Sequence, residues 1–237
     1  VMRLRRMALL IVVLLLALGL SEALLPWLVS SRVEESLEQA LGGDVDVTAS
    51  VTGRPALAML LGRYTDVRVT LQGVHAAGLR IDQLTLRSDQ LTLPGGRLPE
   101  SEAEWARALG GSTVEAVITQ NDVNAYLVAS RSSAADARVQ LRPGRAMVTS
   151  PLKFAGSEML VTAEGEMVLS NNGRLLEYRV DSVTVDDKQI PAFLVSLATD
   201  IVTVGVDLSR LPLGIVARSV EVMEGAVKLT GRTSQGV

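Results

Sequence analysis

The chain has 237 residues, of which 48% are hydrophobic and only 3% aromatic, and its 23 basic and 26 acidic side chains give a formal net charge of −3. Without an excess of basic residues, a nucleic-acid partner is not expected. There is no cysteine and a single histidine, which excludes disulfides, thiolate nucleophiles and cysteine-based metal sites and leaves almost nothing for a histidine-based one.

The first predicted element is a hydrophobic leader. Residues 3–6 contain three arginines, and residues 7–20 form an almost unbroken apolar run, which is the pattern of an export signal. Small residues at positions 21 and 23 would suit cleavage, whereas the renewed apolar stretch at 24–29 favours an uncleaved membrane anchor. The sequence leaves both alternatives open.

The leader sets the expected domain organisation and location. We expect residues 1–29 to be a signal peptide or N-terminal membrane anchor, and residues 30–237 to form one exported domain. Because positive charge precedes the apolar run, that domain is expected outside the cytoplasm, either held on the membrane or released to the cell envelope.

A short amphipathic helix and a strand are predicted after the leader. Ser31 begins a capping-box pattern with Glu34, and apolar residues follow at helical spacing as far as Gly42. From Val45 to Thr52 apolar and polar residues alternate, which predicts a half-buried strand. We expect the glutamates of this helix, Glu34 among them, to face solvent.

A turn and a hairpin are predicted next. Residues 56–61 form a short apolar helical turn that Gly62 closes, and strand alternation resumes at residues 67–71. After a turn at residues 73–78 the apolar residues change phase at Asp82–Gln83. This change of phase predicts a β-bulge and therefore a curved sheet.

Helices and strands also alternate in the second half. A short helix is predicted around Trp105, and Thr119 is predicted to cap a further helix whose first turn contains Asp122. Turn signals at residues 142–145 and 171–173 separate strands that we expect to pair as antiparallel hairpins.

One more helix and a final hairpin are predicted towards the end of the chain. Pro191 begins a helix with apolar residues spaced by four. It passes into an alternating strand at residues 202–208. The Glu224–Gly225 turn then joins the last two strands.

The polar residues form no convincing catalytic or metal site. Residues 150–153 have the Ser-x-x-Lys spacing of an acylation motif, but that chemistry needs a helical turn, and Pro151 lies between strand-like segments. Three aspartates between residues 181 and 187 lack an EF-hand pattern. His75 is expected to be exposed in a glycine-flanked loop. We therefore predict no catalytic residue, no metal and no cofactor, and a protein that is not an enzyme.

Several short motifs occur in a familiar order. Near the end, the Val-Asp-Leu of residues 206–208 precedes the Leu-Pro-Leu-Gly of residues 211–214 and the hairpin at residues 224–225. Near the start, Val-Thr-Gly-Arg-Pro at residues 51–55 leads through the apolar turn to Gly-Arg-Tyr at residues 62–64. In this order the motifs resemble the LmeA-like phospholipid-binding family.

The resemblance extends from about Val33 to Thr230 and carries expectations of fold and function. It implies an α+β fold in which a long, curved antiparallel β-sheet wraps around short amphipathic helices, similar to tubular lipid-binding proteins. It also implies a cell-envelope protein that binds phospholipid or a related membrane lipid as a carrier or chaperone. The apolar residues that would line its lipid slot are Leu57, Leu60, Val67, Val69, Val123, Tyr126, Leu127, Met159, Val161, Met167, Phe193, Leu194, Leu197 and Ile201.

The residue pattern by itself is compatible with this function but does not require it. Curved aliphatic strands could enclose acyl chains, each buried CH₂ contributing about 0.8 kcal/mol. The same side chains would nevertheless form the core of any fold, since periodicity shows which face is buried and not whether the space is filled. The alternative is a membrane-tethered envelope scaffold with a solid core, whose protein partners the sequence does not identify.

Overall fold

A computed structural model of the chain describes residues 2–42, 45–129, 136–154, 157–186, 188–189 and 205–234. The helices of these residues are α1 (Met2–Leu41), α2 (Glu102–Ala108) and α3 (Gln120–Ala129). A 3-10 helix, Ala56–Leu61, is called the leucine turn below. The strands are β1 (Asp46–Thr52), β2 (Arg63–Ala76), β3 (Leu79–Thr92), β4 (Thr113–Thr119), β5 (Arg138–Arg142), β6 (Arg145–Phe154), β7 (Ser157–Ser170), β8 (Leu175–Val185), β9 (Lys188–Gln189), β10 (Gly205–Asp207), β11 (Ile215–Met223) and β12 (Ala226–Thr233).

Two antiparallel sheets form the described structure. The first sheet has the strand order β1-β2-β3-β4-β12-β11, and the second has the order β10-β8-β7-β6-β5, with β9 pairing with β8. The predicted β-rich, antiparallel α+β architecture is confirmed. The prediction of a single long sheet is wrong, because the strands form two sheets. After β4 the chain passes through α3, and β5 then begins the second set of neighbouring strands.

The first sheet buries one face. Ala49, Val69, Leu86 and Val114 lie directly opposite one another across β1, β2, β3 and β4, and all four are buried. Since residues opposite each other point to the same side of a sheet, this row forms part of the hydrophobic core. The alternation predicted for residues 45–52 is confirmed in β1.

The change of phase predicted at Asp82–Gln83 is present, but it is not a one-sided bulge. Buried residues change parity in both strands, between Leu71 and Val74 in β2 and across Asp82–Gln83 in β3. The pairing register is the same on both sides of this point. The register is kept because β2 changes phase too, at Gly73, whose φ is +71°, a conformation that glycine adopts without steric cost.

The first helix differs from the prediction. Residues 2–41 form one continuous helix that contains Pro26, so no helix begins at Ser31. Because the preceding turn is already helical, the Ser31 hydroxyl donates a hydrogen bond to the Trp27 carbonyl at 3.2 Å and caps nothing. Among the residues that the structure describes, no helix is both long and apolar enough to cross a membrane.

Helix α1 covers the outer edge of β1. The Ser30 hydroxyl accepts a hydrogen bond from Val51 N at 3.1 Å, and the Glu34 carboxylate accepts one from Ala49 N at 2.8 Å. These N–H groups would otherwise be free at the edge of the first sheet. The expectation that Glu34 faces solvent is therefore wrong. Its carboxylate accepts the hydrogen bond that a neighbouring strand would otherwise accept from β1.

Helix α3 covers the outer edge of β5 in the same way. Gln120 accepts a hydrogen bond from Leu141 N at 2.8 Å, and Asn124 accepts one from Val139 N at 2.7 Å. In both sheets the two helix residues are one helical turn apart, and the hydrogen-bonded pairs are separated by 21 and 15 residues. The two halves of the chain thus share one arrangement of helix and edge strand, although their amino-acid types do not show it.

The predicted caps and turns agree with the structure. Thr119 Oγ1 accepts a hydrogen bond from Asp122 N at 3.2 Å at the start of α3. Short turns at Pro143–Gly144, Asn171–Gly173 and Glu224–Gly225 each join two antiparallel strands. The helix predicted from Pro191 lies outside the described residues.

Candidate functional site

An apolar pocket lies where the two sheets meet beside α3. Its openings are narrow, its lining is almost wholly apolar, and its volume is about 30 Å³. The first sheet contributes side chains from β3, β4 and β12, and the second from β7, β8 and β10. The lining residues are Leu79, Ile118, Val123, Tyr126, Met167, Leu176, Val206 and Val227.

Helix α3 closes one side of this pocket. The cap at Thr119 starts the helix directly at the end of β4, and this places Val123 and Tyr126 against the core. A Cβ atom at Gly78 would lie 3.8 Å from the Tyr126 ring, so the β2–β3 turn packs on the same ring. The pocket is thus bounded by a helix and a hairpin as well as by both sheets.

The pocket as described is closed to a lipid. A volume of 30 Å³ corresponds to about one water molecule, whereas ligand pockets typically enclose about 300–1,000 Å³. An acyl chain can therefore enter only if the surrounding elements move apart.

Few direct backbone hydrogen bonds hold the two sheets together. In the described part of the chain, Gly144 N donates to Val222 O at 2.8 Å, and Gly225 N donates to Leu141 O at 3.1 Å. Most other contacts between the sheets are side-chain packing, for example of β11 against β7. We call this boundary the seam. Separating the sheets at the seam leaves the strand pairing within each sheet intact.

An ion pair between a half-exposed arginine and a buried carboxylate fixes α3 to the first sheet. Arg80 Nη1 on β3 lies 3.0 Å from the Asp122 carboxylate, whose side chain is almost fully buried. Burial acts to raise the pKa of Asp122, but hydrogen bonds from Thr119 and Arg80 outweigh it, and the pKa falls below its ordinary value. The carboxylate therefore stays charged and serves a structural purpose.

Among the buried polar side chains, that of Tyr178 most resembles a catalytic group. Its hydroxyl donates a hydrogen bond to Ala163 O at 2.8 Å and lies 3.2 Å from Ala146 O. Burial raises the pKa of Tyr178 well above its usual range. A phenol held neutral between two backbone carbonyls joins β8, β7 and β6 and is not available as a base.

Three of the predicted lining residues do border the pocket. They are Val123 and Tyr126 on α3 and Met167 on β7. The alternation of the strand and the spacing of the helix were sufficient to place these side chains on the inner face.

Other predicted residues lie elsewhere in the interior. Val67, Val69 and Leu127 are fully buried but do not border the pocket. Met159 and Val161 are partly buried on β7. Contact of these five residues with lipid stays a prediction.

Leu57 and Leu60 lie on the outside of the protein. Both belong to the leucine turn and are exposed, Leu60 by 58%, so they do not line an enclosed slot here. The helical spacing predicted an apolar turn but not which side of it is covered. The four remaining predicted residues, which lie outside the described part of the chain, are Phe193, Leu194, Leu197 and Ile201.

Sequence reasoning missed five lining residues, on five different strands. Apolar alternation marks each of them as inward-facing, but it does not show that strands so distant in the chain converge at the seam. The missed residues are Leu79, Ile118, Leu176, Val206 and Val227.

The polar motifs do not form a reactive site. Ser150 and Lys153 both lie on β6, a strand, and not on the helical turn that the acylation chemistry needs. Asp186 accepts a hydrogen bond from Leu160 N at 3.0 Å. His75 is exposed but lies in β2 and not in a loop. No group of three or more potential metal ligands occurs among the described residues.

Comparison with known proteins gave one match. The family model described as LmeA-like phospholipid-binding matches residues 20–232. No curated protein and no solved structure gave a significant match.

Proposed function

Because this chain belongs to the LmeA-like phospholipid-binding family, we propose that it takes up a phospholipid or related membrane lipid in its apolar interior and acts as a carrier or chaperone in the cell envelope. It does so without catalysis. The N-terminal segment holds it at the membrane, outside the cytoplasm, as the leader's arginines and apolar run suggest.

One observation carries the proposal: the apolar pocket lies at the seam and not inside either sheet. Its lining comes from both sheets and from α3. Among the described residues two direct backbone hydrogen bonds cross the seam, so an acyl chain can enter between the sheets without unpairing a strand. Each CH₂ that leaves water contributes about 0.8 kcal/mol, and a few methylene groups would offset the two hydrogen bonds of the seam.

The sequence predicts a helix from Pro191 with apolar residues spaced by four, and contact of its Phe193, Leu197 and Ile201 with the lipid stays part of the proposal. Closure of the two sheets around a lipid would give the tubular arrangement that the family resemblance implies.

The proposal can be tested by blocking the pocket. We would purify the full chain in detergent, extract it with solvent and measure phospholipid per chain by mass spectrometry. Val123→Trp fills the pocket from α3, and Met167→Trp fills it from β7. Val128→Trp is the matched control, because Val128 lies on the exposed side of α3.

We expect bound phospholipid to fall at least about tenfold in both pocket variants and to stay unchanged in Val128→Trp, since the added indole occupies the space of several methylene groups. Circular dichroism and the thermal transition would show that each variant is folded. Equal phospholipid in all the proteins, or none in any of them, would overturn the proposal.

A scaffold is the second candidate, and a specific observation favours it. The pocket is small, and the leucine turn exposes an apolar surface of the kind that marks interaction sites. A scaffold would contain no extractable lipid and would not take lipid from vesicles. The same extraction therefore separates the two functions.

A further inference from the structure

The leucine turn presents apolar side chains to the outside. Ala56 and Met59 are buried and anchor the turn in the core, while Leu57, Leu60 and Leu61 are exposed, Leu61 by 71%. Three exposed leucines on six consecutive residues form a concentrated patch on a surface that is otherwise largely polar at the neighbouring strand positions.

Backbone contacts hold these leucines outward. Gly62 N donates to Met59 O at 3.0 Å, and Leu93 N donates to Gly62 O at 2.7 Å. A Cβ atom at Gly62 would lie only 2.0 Å from Leu93 O, so the turn is tightly packed against the loop after β3. The exposed leucines are thus on a well-anchored element and not on a loose loop.

The leucine turn lies beside α1. The Glu22 carboxylate accepts a hydrogen bond from Ala56 N at 2.9 Å, which fixes the start of the turn against the helix. Within the next two helical turns of α1, Leu24, Trp27 and Leu28 are also exposed, Trp27 by 70%. At 3.6 residues per turn these three side chains point roughly 140–240° around the helix from Glu22, and so to other sides of α1 than the leucine turn. We call the exposed apolar residues of the helix and the turn together the leucine platform (Leu24, Trp27, Leu28, Leu57, Leu60 and Leu61).

The adjoining part of α1 indicates what covers the leucine platform. At 3.6 residues per turn, its exposed apolar side chains point over more than half of the helix circumference. A protein groove or a second copy would cover one stripe of a helix, whereas lipid surrounds a helix that has no polar face. The exposed side chains are Val12, Val13, Leu15, Leu16, Leu18 and Leu20.

The charges next to the leucine platform fit the same surroundings. Arg54 and Arg63 flank the leucine turn, are both exposed, and form no ion pair with any described residue. Exposed arginines beside an apolar surface suit the boundary between acyl chains and anionic headgroups. An exposed tryptophan is also typical of that boundary.

We propose that the leucine platform is a membrane-contact surface, which seats the folded domain on the lipid that surrounds the apolar part of α1. The leucines of the turn enter the acyl region at a shallow depth, and Arg54 and Arg63 stay among the headgroups. This contact is independent of whether the interior holds a lipid.

Depth-dependent fluorescence quenching tests the proposal. The full chain would be reconstituted into vesicles of phosphatidylcholine and phosphatidylglycerol, with lipids brominated at different acyl positions. Leu60→Trp would be placed in a Trp27→Phe background, with Leu61→Trp as a second reporter. Trp105, which is fully buried, contributes a constant signal.

The matched control is Leu160→Trp in the same background, since Leu160 is 51% exposed on β7. We expect quenching in L60W and L61W to exceed that in L160W at least about threefold, strongest with bromine near the headgroup end, as for an interfacial surface about 5–10 Å deep. Quenching equal to that of L160W would overturn the proposal. Emission that changes with protein concentration and not with brominated lipid would also overturn it and assign the surface to contact between copies.

Discussion

At the scale of single residues, Asp122 connects three elements. Its carboxylate accepts hydrogen bonds from the backbone and hydroxyl of Thr119 at the end of β4, starts α3, and pairs with Arg80 on β3. Because Tyr126 and Val123 lie further along the same helix, the position of Asp122 also determines one wall of the pocket.

The charge of Asp122 is expected to stabilise the fold. We predict that Asp122→Asn lowers the free energy of unfolding by about 2 kcal/mol at pH 7, since Arg80 and Thr119 lose a charged acceptor. Denaturant unfolding monitored by circular dichroism would measure this difference.

The effect of Asp122→Asn should depend on pH. The pKa of Asp122 is lowered in the folded protein, so its stabilisation is complete above the carboxyl's ordinary pKa and is lost as the pH falls through the folded value. The difference between the two proteins should therefore shrink below about pH 4. Asp82→Asn is the control: it removes the more exposed partner of Arg80 and should cost less than about 1 kcal/mol.

At the scale of elements, each sheet has an edge strand covered by helix side chains. In the first sheet, Ser30 and Glu34 bind the free N–H groups of β1, and in the second, Gln120 and Asn124 bind those of β5. A free edge can pair with another chain and cause aggregation. The side chains remove that possibility without adding a strand.

Loss of one of these edge-covering side chains should have a measurable effect on stability. We predict that Glu34→Ala lowers the free energy of unfolding by about 1–2 kcal/mol, because Ala49 N loses its acceptor, and speeds aggregation on mild heating. Glu35→Ala is the matched control on the exposed side of the same helix and should change stability by less than about 0.5 kcal/mol. If the two variants unfold and aggregate alike, the hydrogen bond to β1 has no protective role.

The edge covers show where sequence reasoning reaches its limit for elements. Alternation placed β1 correctly, and the caps and glycine turns located α3 and the hairpins, because those signals are local. Glu34, however, is a polar residue on an amphipathic helix whether it meets water or a strand edge. Only the tertiary structure distinguishes the two, and the same holds for the outward leucines of the leucine turn.

At the scale of the whole molecule, the seam is the proposed place of lipid entry. The pocket takes its lining from six strands and α3. The sequence could mark these residues as inward-facing, and it did so for Val123, Tyr126 and Met167. It could not predict their convergence, because the order of strands in the two sheets depends on non-local pairing.

Opening of the seam should be visible by hydrogen exchange. When phospholipid is added to the full chain, we expect the amides of Gly144 and Gly225, whose hydrogen bonds cross the seam, to exchange faster by on the order of tenfold. Amides in the middle of β2 and β3 should not change, since those strands stay paired. A uniform slowing across both sheets would mean that lipid binds without separating them.

In both sheets the hydrogen-bonded residues of the covering helix and its edge strand are separated by the same numbers of residues. This shared arrangement affects how such a protein can diversify. Each half is complete at its outer edge, where the helix satisfies the strand, and incomplete at the seam, where the other half supplies the remaining pocket residues. The interior pocket therefore forms only where the two halves meet. Substitutions on the two facing surfaces can enlarge, reshape or fill it while the covered edges and the pairing of each half remain as they are.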